Sequence, residues 1–206
     1  AGRDLGSVVA RIQTELKKAV PMPGGYFTAF EGQFQRQQQA TRLIGILAVV
    51  TLGVIFLLLY AHFHSAMIVG QILLNIPLAY AGALALTHLL VGTISVATLV
   101  GLITLTGIAT RNTIMMISHY LHLMEHEGEK FGERMVIRGS LERLVPVTMT
   151  ALTAGLALIP LVLSAHEPGK EILYPVAVVI LGGLISSTLL DLAVTPAVFL
   201  LFGRRA

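Results

Sequence analysis

An arginine lies inside an apolar stretch of this sequence that is long enough to cross a bilayer. Arg111 belongs to the run Gly107–Tyr120, GIATRNTIMMISHY, and lies about two helical turns from the end of that stretch. Because a charge at this depth costs about 3 kcal/mol or more against lipid, we expect Arg111 to face protein or water. It could then serve as a fixed cation in a buried proton-transfer network, with Asn112 adding hydrogen bonds. The alternative is a side chain that extends to the membrane interface and only anchors the helix.

One acid lies in an apolar stretch as well. Asp191 is at a depth similar to that of Arg111, and it is the only acidic residue within the predicted membrane spans. The sequence leaves two arrangements open. Asp191 either contacts Arg111 directly, or it contacts polar groups on its own or a neighbouring helix, such as Ser187, Thr188 or Thr195.

Two further hydroxyls, those of Thr148 and Thr150, lie in another apolar stretch. Most threonines in membrane helices donate a hydrogen bond to a carbonyl one turn earlier in the same helix. A part in proton transfer is therefore the less common alternative for both.

Three histidines, His119, His122 and His126, are spaced i, i+3 and i+7 and share one helical face. Histidines with this spacing can bind a transition metal. The segment is rich in glutamate, however, which is typical of an ordinary solvated surface, so we predict no metal site. Met115 and Met116 are interpreted as packing residues, not copper ligands. No nucleophile, nucleotide or zinc-protease motif is present, so the sequence predicts neither an enzyme nor a bound cofactor.

The composition requires a membrane around these residues. The 206 residues are 55% hydrophobic and 12% charged, and the mean hydropathy is +0.81, which is too apolar for one soluble core of this length. The chain contains no cysteine, which excludes disulfides and thiolate metal sites. The basic residues form clusters but no basic stripe with interleaved aromatic residues, so we interpret them as signals of membrane topology and not as a nucleic-acid-binding surface.

Five segments are each apolar over close to the 20 residues that a bilayer core demands. They are approximately residues 43–60, 67–90, 94–118, 145–164 and 174–202. Small residues recur inside them, including Gly82, Gly182, Gly183 and Ser186, and favour close approach of helix backbones. The sequence therefore predicts an all-α integral membrane protein with a five-helix transmembrane bundle, which occupies residues 41–206.

Residues 1–40 form a short soluble piece ahead of the bundle. Apolar residues at helical spacing between Leu5 and Val20 predict one helix, and Tyr26–Phe30 reads as one strand. One helix and one strand bury too little surface to fold alone. We therefore interpret this piece as the truncated α/β remnant of a larger domain.

An odd number of spans places the two chain ends on opposite sides of the membrane. The positive-inside rule puts the basic loop from His119 to Leu144 and the C-terminus in the cytoplasm. The basic N-terminal piece then lies outside, against a simple count of charges, but the rule is weaker for large translocated domains.

Four segments resemble the resistance-nodulation-division efflux transporters, and together they cover nearly the whole chain. Three are similar to the last three membrane helices of that family: LVGLITLTGIATRNTIMMISHY, GSLERLVPVTMTALTAGLALIPLVLS and EPGKEILYPVAVVILGGLISSTLLDLAVTPAVF. The fourth, GRDLGSVVARIQTELKKAVPMPGGYFTAFEGQF, resembles the end of the periplasmic pore domain in the heavy-metal efflux branch.

The resemblance implies a proton relay. In this family a basic residue of the tenth helix faces two aspartates of the fourth, and a threonine and an arginine of the eleventh assist. Arg111 matches the basic position, which is usually lysine, and Asn112 follows it; Thr150 and Arg143 match the other two. Since arginine is much harder to deprotonate than lysine, Arg111 would be a permanent counter-ion, and the mobile protons would belong to the aspartates. Asp191 is a further candidate member of this relay.

The resemblance also implies a function and partners. It describes a proton-driven exporter of cations or heavy metals in the bacterial inner membrane, with a periplasmic N-terminus and a cytoplasmic C-terminus. Such transporters work as homotrimers with a periplasmic adaptor and an outer-membrane channel. This sequence resembles helices eight to twelve of twelve, without the helix that carries the two aspartates, so we expect it to depend on the rest of a transporter chain and to be inactive in transport by itself.

Two other functions stay open. The segment would be a non-conducting assembly or interaction module if Arg111 had no part in transport, or a multidrug-type exporter of the same family.

Overall fold

Five long helices make up most of the computed structural model, which describes residues 11, 12, 14–16, 18, 33–165 and 167–203. The helices are α1 (Gln33–Phe63), α2 (Ala66–Leu90), α3 (Val96–Glu125), α4 (Glu133–Leu163) and α5 (Leu173–Phe202). All five are long and apolar enough to cross a membrane. The predicted all-α fold with five membrane-spanning helices is therefore confirmed.

The N-terminal piece is described only in part. Residues 11, 12, 14–16 and 18 are helical, within the helix predicted there, whereas the predicted strand at Tyr26–Phe30 lies outside the described residues. By its internal contacts the chain divides into two compact units, Ala1–Leu47 and Ala48–Ala206. The division falls inside α1, a few residues after the domain boundary predicted between residues 40 and 41.

The segment from His119 to Leu144, predicted as the connection between two membrane spans, is mostly helical. α3 continues to Glu125 and α4 begins at Glu133, so only residues 126–132 connect them. Hydropathy marks where the apolar stretch ends, but a helix satisfies its own backbone hydrogen bonds and continues beyond the membrane. Both helices therefore extend about two to three turns further than their predicted spans.

Arg138 of α4 fixes the short connection between α3 and α4. Its guanidinium donates hydrogen bonds to Glu127 (2.7 Å) and Glu129 (2.5 Å) in the connection and to Glu142 (2.8 Å) one turn further along α4. A branched network of this kind orders a loop better than isolated surface ion pairs do. The polar ends of α3 and α4 are thereby held side by side.

The core of the bundle lies between α2, α3 and α5. In the most apolar windows of these helices 44, 50 and 56% of the residues are buried, against 6% in those of α1 and α4. Large side chains such as Ile72, Ile117, Tyr120 and Phe199 fill the core at one end. α1 and α4 therefore present apolar faces that the described part of the chain leaves largely uncovered.

Glycines let α2 and α5 approach closely, as their recurrence in the sequence predicted. A Cβ built on Gly82 would lie 3.0 Å from the backbone oxygen of Gly182, and one built on Gly182 would lie 2.9 Å from the backbone oxygen of Gly82. The two glycines therefore mark a backbone-to-backbone contact, which sets the distance between α2 and α5.

Candidate functional site

A cavity of about 240 Å³ between α3 and α4 brings together four of the predicted site residues. Its polar lining consists of Arg111, Asn112, Arg143 and Thr150. The apolar lining residues are Ile108, Met115, Pro146, Val147, Ala154 and Leu184. Residues of each helix recur at steps of three and four and so share one face, which is how distant parts of the sequence meet here.

The cavity is positively charged. Arg111 makes no ion pair with any described residue, and Nε of Arg143 is buried without a hydrogen-bond partner in the described part of the chain. None of the described lining residues is acidic. Two guanidinium groups at one membrane cavity need a compensating anion, because uncompensated charge is costly in this environment.

The hydroxyl of Thr150 lies at the cavity but is already engaged. It donates a hydrogen bond to the backbone oxygen of Val147 at 2.9 Å, which is the common arrangement for a threonine in a membrane helix. Its oxygen retains lone pairs that can accept a hydrogen bond from a group in the cavity. Thr150 can thus orient a proton donor without giving up its own bond.

Asp191 does not contact Arg111. It is fully buried, and its Oδ1 accepts hydrogen bonds from Asn75 Nδ2 at 2.5 Å, Thr113 Oγ1 at 2.8 Å and Thr195 Oγ1 at 3.3 Å. Its Oδ2 has no hydrogen-bond partner among the described residues. Of the two arrangements left open by the sequence, the structure therefore shows contact with polar groups of its own and neighbouring helices.

Two of the hydroxyls expected beside Asp191 are directed elsewhere. Ser187 and Thr188 both donate to the backbone oxygen of Leu184, at 3.2 and 2.7 Å. Only Thr195, one turn after Asp191, reaches the carboxylate.

Helix geometry separates Asp191 from the cavity. Arg111 and Thr113 are two residues apart on α3, so their side chains point about 200° apart around the helix axis. Arg111 faces α4, whereas Thr113 faces the interface of α2, α3 and α5, where Asp191 lies. Asp191 and Arg111 are therefore at a similar depth in the sequence-predicted spans but lie at different interfaces of the bundle.

Sequence reasoning missed two amide side chains of α2, one that contacts Asp191 and one that contacts the backbone of Thr195. Asn75 donates to Asp191, and Gln71 Nε2 donates to the backbone oxygen of Thr195 at 3.2 Å. Both residues are buried. They are spaced i and i+4 in an otherwise apolar span, and this spacing of two amides is the signal that would have found them.

The predicted histidine face is divided between two sets of contacts. His119 lies beside Glu142 and Arg143, whereas the rings of His122 and His126 stack with centroids 4.6 Å apart. Among the described residues no three His, Cys, Asp or Glu side chains are placed to hold a metal ion. Of the two methionines, Met116 is buried in the core and Met115 lines the cavity.

Comparisons with known proteins agree over almost the entire chain. Protein HelA of Legionella pneumophila is 37% identical over 204 residues, which are 98% of this chain and 19% of that protein. The cobalt-zinc-cadmium resistance protein CzcA of Cupriavidus metallidurans is 33% identical over 204 residues, 99% of this chain and 19% of that protein.

A solved structure shares the fold. The crystal structure of a heavy metal efflux pump, in crystal form II, matches with a TM-score of 0.84 and 35% identity, over 100% of this chain and 20% of that one. The chain thus spans about a fifth of the length of the proteins that it matches. The family model described as the AcrB/AcrD/AcrF family matches residues 1–203. The chain therefore belongs to the AcrB/AcrD/AcrF family of resistance-nodulation-division efflux transporters.

Proposed function

We propose that this chain is part of a proton-driven transporter that exports metal cations across the bacterial inner membrane, and that it contributes the cationic side of the proton relay. Membership in the family supports export as the function. Metal cations are supported by the relatives, one of which is a cobalt-zinc-cadmium resistance protein and another a heavy metal efflux pump.

The observation that carries the relay is the unbalanced charge of the cavity. Arg111 and Arg143 line it, and no described lining residue is acidic. The proposed anions are carboxylates on other helices of a longer transporter chain. Because arginine stays protonated throughout the physiological pH range, it holds such carboxylates ionised until a proton arrives, and the carboxylates carry the proton.

Asn112 and Thr150 have supporting parts in this proposal. Asn112 is buried beside Arg111 and offers an amide to the cavity. Thr150 offers the lone pairs of its hydroxyl. Asp191 faces another interface of the bundle, so a part for it in the relay would require communication through α3.

An assembly module is the second candidate function, and the uncovered faces of α1 and α4 favour it. Large apolar side chains of α4, including Met149, Leu152 and Leu156, are exposed in this chain. Such faces can pack against further helices as well as against lipid, and contact with further helices is what an assembly module requires. A multidrug-type exporter would use the same helices, so the relay residues do not separate it from a metal exporter.

In the full transporter, we propose, three copies assemble with a periplasmic adaptor and an outer-membrane channel. The resemblance to the family supports this assembly, and the uncovered helix faces leave room for contacts with the rest of the transporter chain. The residues that select the exported compound would lie in that remainder.

Expression of the 206-residue chain alone is expected to leave a metal-sensitive bacterial strain sensitive, because the cavity then lacks its carboxylates. Expression of the full-length transporter that contains this sequence is expected to restore growth on cobalt, zinc or cadmium, and a protonophore is expected to abolish the export. Growth curves and intracellular metal content measure both effects. Restoration of resistance by the chain alone would overturn the proposed dependence on other helices.

The proposed orientation can be tested with introduced cysteines, since the sequence has none of its own. Lys130 and Glu171 are exposed and lie in connections on opposite ends of the bundle. A membrane-impermeant maleimide applied to spheroplasts is expected to label Glu171→Cys and to spare Lys130→Cys until the membrane is permeabilised. The reverse pattern would invert the proposed topology.

A further inference from the structure

His119 connects the cavity to the polar end of the bundle. Its Nε2 lies 2.7 Å from Oε2 of Glu142, and its Nδ1 lies 3.5 Å from Nη2 of Arg143. The side chain of His119 is 13% exposed and that of Glu142 is 40% exposed. Arg143 in turn lines the cavity. A titratable ring thus lies between a partly buried arginine and a carboxylate that reaches solvent.

The two contacts determine which nitrogen of His119 carries hydrogen. A guanidinium can only donate, so Nδ1 must accept the hydrogen bond from Arg143. In the neutral ring the hydrogen is then on Nε2, which donates to Glu142. Both contacts are satisfied by this one tautomer of neutral His119.

Protonation of His119 is incompatible with the contact to Arg143. It adds a hydrogen to Nδ1, which removes the acceptor and places two positive groups against each other. The contact with Glu142 is strengthened at the same time, because both of its members are then charged.

Arg143 depends on His119 for its position. The contact with His119 is the one hydrogen bond that the guanidinium makes within the described part of the chain, and Nε of Arg143 is buried without a partner there. Loss of the contact therefore frees a cationic side chain beside the cavity.

The other charged groups near His119 belong to α4 and the connection before it. Glu142 also accepts from Arg138, which binds Glu127 and Glu129 as well. On α3 the rings of His122 and His126 stack on each other. Glu142 and Arg143 are thus the charged groups in direct contact with His119 among the described residues.

We propose that His119 is a proton-responsive positioning residue, which holds Arg143 at the cavity when neutral and releases it when protonated. Through Glu142 it senses the pH at the polar end of α3 and α4. In the transporter, this role of His119 rests on the proposed relay function. Acidification at the polar end of α3 and α4 would displace Arg143 from the relay cavity and slow the transport cycle. The contact between His119 and Arg143 lies within the described residues, so it can be tested without a transport assay.

The first test is the tautomer of His119, by NMR of the purified protein labelled with ¹⁵N-histidine. The signal of His119 is assigned by its loss in His119→Gln, and His122→Gln serves as the matched control. The expected result at alkaline pH is a ring protonated on Nε2 alone, which becomes a mixture of tautomers in Arg143→Met, since methionine has no hydrogen-bond donor. A ring protonated on Nδ1, or one unaffected by Arg143→Met, would overturn the proposal.

The second test is the pH profile of transport by the full-length transporter in proteoliposomes. His119→Gln keeps an acceptor and a donor but does not take up a proton as the imidazole does, so the part of the pH dependence that His119 contributes is expected to disappear. His119→Lys carries a permanent charge and is expected to lower transport about tenfold or more at every pH. His122→Gln is expected to follow the parent profile.

The NMR and transport tests distinguish failure of the proposed role of His119 from failure of the proposed transport function. A pH profile of His119→Gln that superimposes on that of the parent would overturn the role of His119, even if the tautomer is as expected. A full-length protein that moves no cation at any pH would refute the transport function, while the NMR result would still decide the link between His119 and Arg143.

Discussion

Replacement of Arg111 by methionine in the full-length transporter is expected to lower metal export about a hundredfold or more. The proposed relay needs a fixed positive charge where a carboxylate gains and loses its proton, and loss of one preorganised electrostatic group typically costs 10²- to 10³-fold. Methionine retains much of the volume of the arginine side chain and is compatible with the apolar lining of the cavity, which includes Met115. Arg111→Lys keeps the charge and is expected to retain a larger share of export.

The measurement combines metal efflux from loaded cells with the amount of transporter in the inner membrane. Arg134→Met is the matched control, since Arg134 is an exposed arginine of α4 outside the cavity. It should export at the parental rate. Normal export by Arg111→Met at a normal membrane level would refute the relay.

The same variant separates the relay from the assembly module. An assembly role predicts that Arg111→Met loses its place in the complex or in the membrane, with export falling in proportion. A relay role predicts an intact complex that does not export. Cross-linking of the assembled transporter in the parent and the variant distinguishes these results.

The membrane spans could be predicted from the sequence because their physical cause is local. A run of about 20 apolar residues is sufficient for a helix to cross a bilayer, and each of the five predicted spans lies within one of the observed helices, apart from residues 94 and 95 and residue 164 at span ends. The ends of α3 and α4 were not predictable in this way. They are polar helix, held by side-chain contacts such as those of Arg138.

The arrangement around Asp191 could not be predicted, because it depends on rotation about the helix axis. Depth in the membrane follows from position in the sequence, but the direction of a side chain follows from how α2, α3 and α5 pack. The sequence offered Arg111 as a possible partner of Asp191. In the structure Asn75 and Thr113, which the sequence did not indicate, donate hydrogen bonds to Asp191 instead.

The cavity could be predicted only in part. Family resemblance indicated Arg111, Asn112, Arg143 and Thr150, and the structure places all four around one cavity. The contact of His119 with Arg143 was not predicted, since the histidines had been considered only as a metal-binding face. Their division into a His119 contact and a stacked pair required the position of α4.

The second large effect is expected from an added methyl group where α2 meets α5. A Cβ on Gly82 would overlap Cβ of Ser186 and would lie 3.0 Å from the backbone oxygen of Gly182. Backbone and Cβ atoms cannot turn away as the end of a long side chain can, so the helices must separate. Overpacking of this kind costs about 1 to 3 kcal/mol, and Gly82→Ala is expected to melt roughly 3 to 10 °C lower than the parent.

Circular dichroism of the purified protein in detergent can follow this melting, with Gly107→Ala as the matched control. Gly107 is also within a membrane helix, but a Cβ there would meet nothing within 4 Å, so its melting temperature should stay within about a degree of the parent or rise slightly, because alanine favours the helix. Ser186→Gly removes the Cβ that the new methyl group would meet, and should recover part of the stability of Gly82→Ala. Equal melting of Gly82→Ala and Gly107→Ala would mean that α2 and α5 can separate without cost, and that the glycine contact does not set the packing of the bundle.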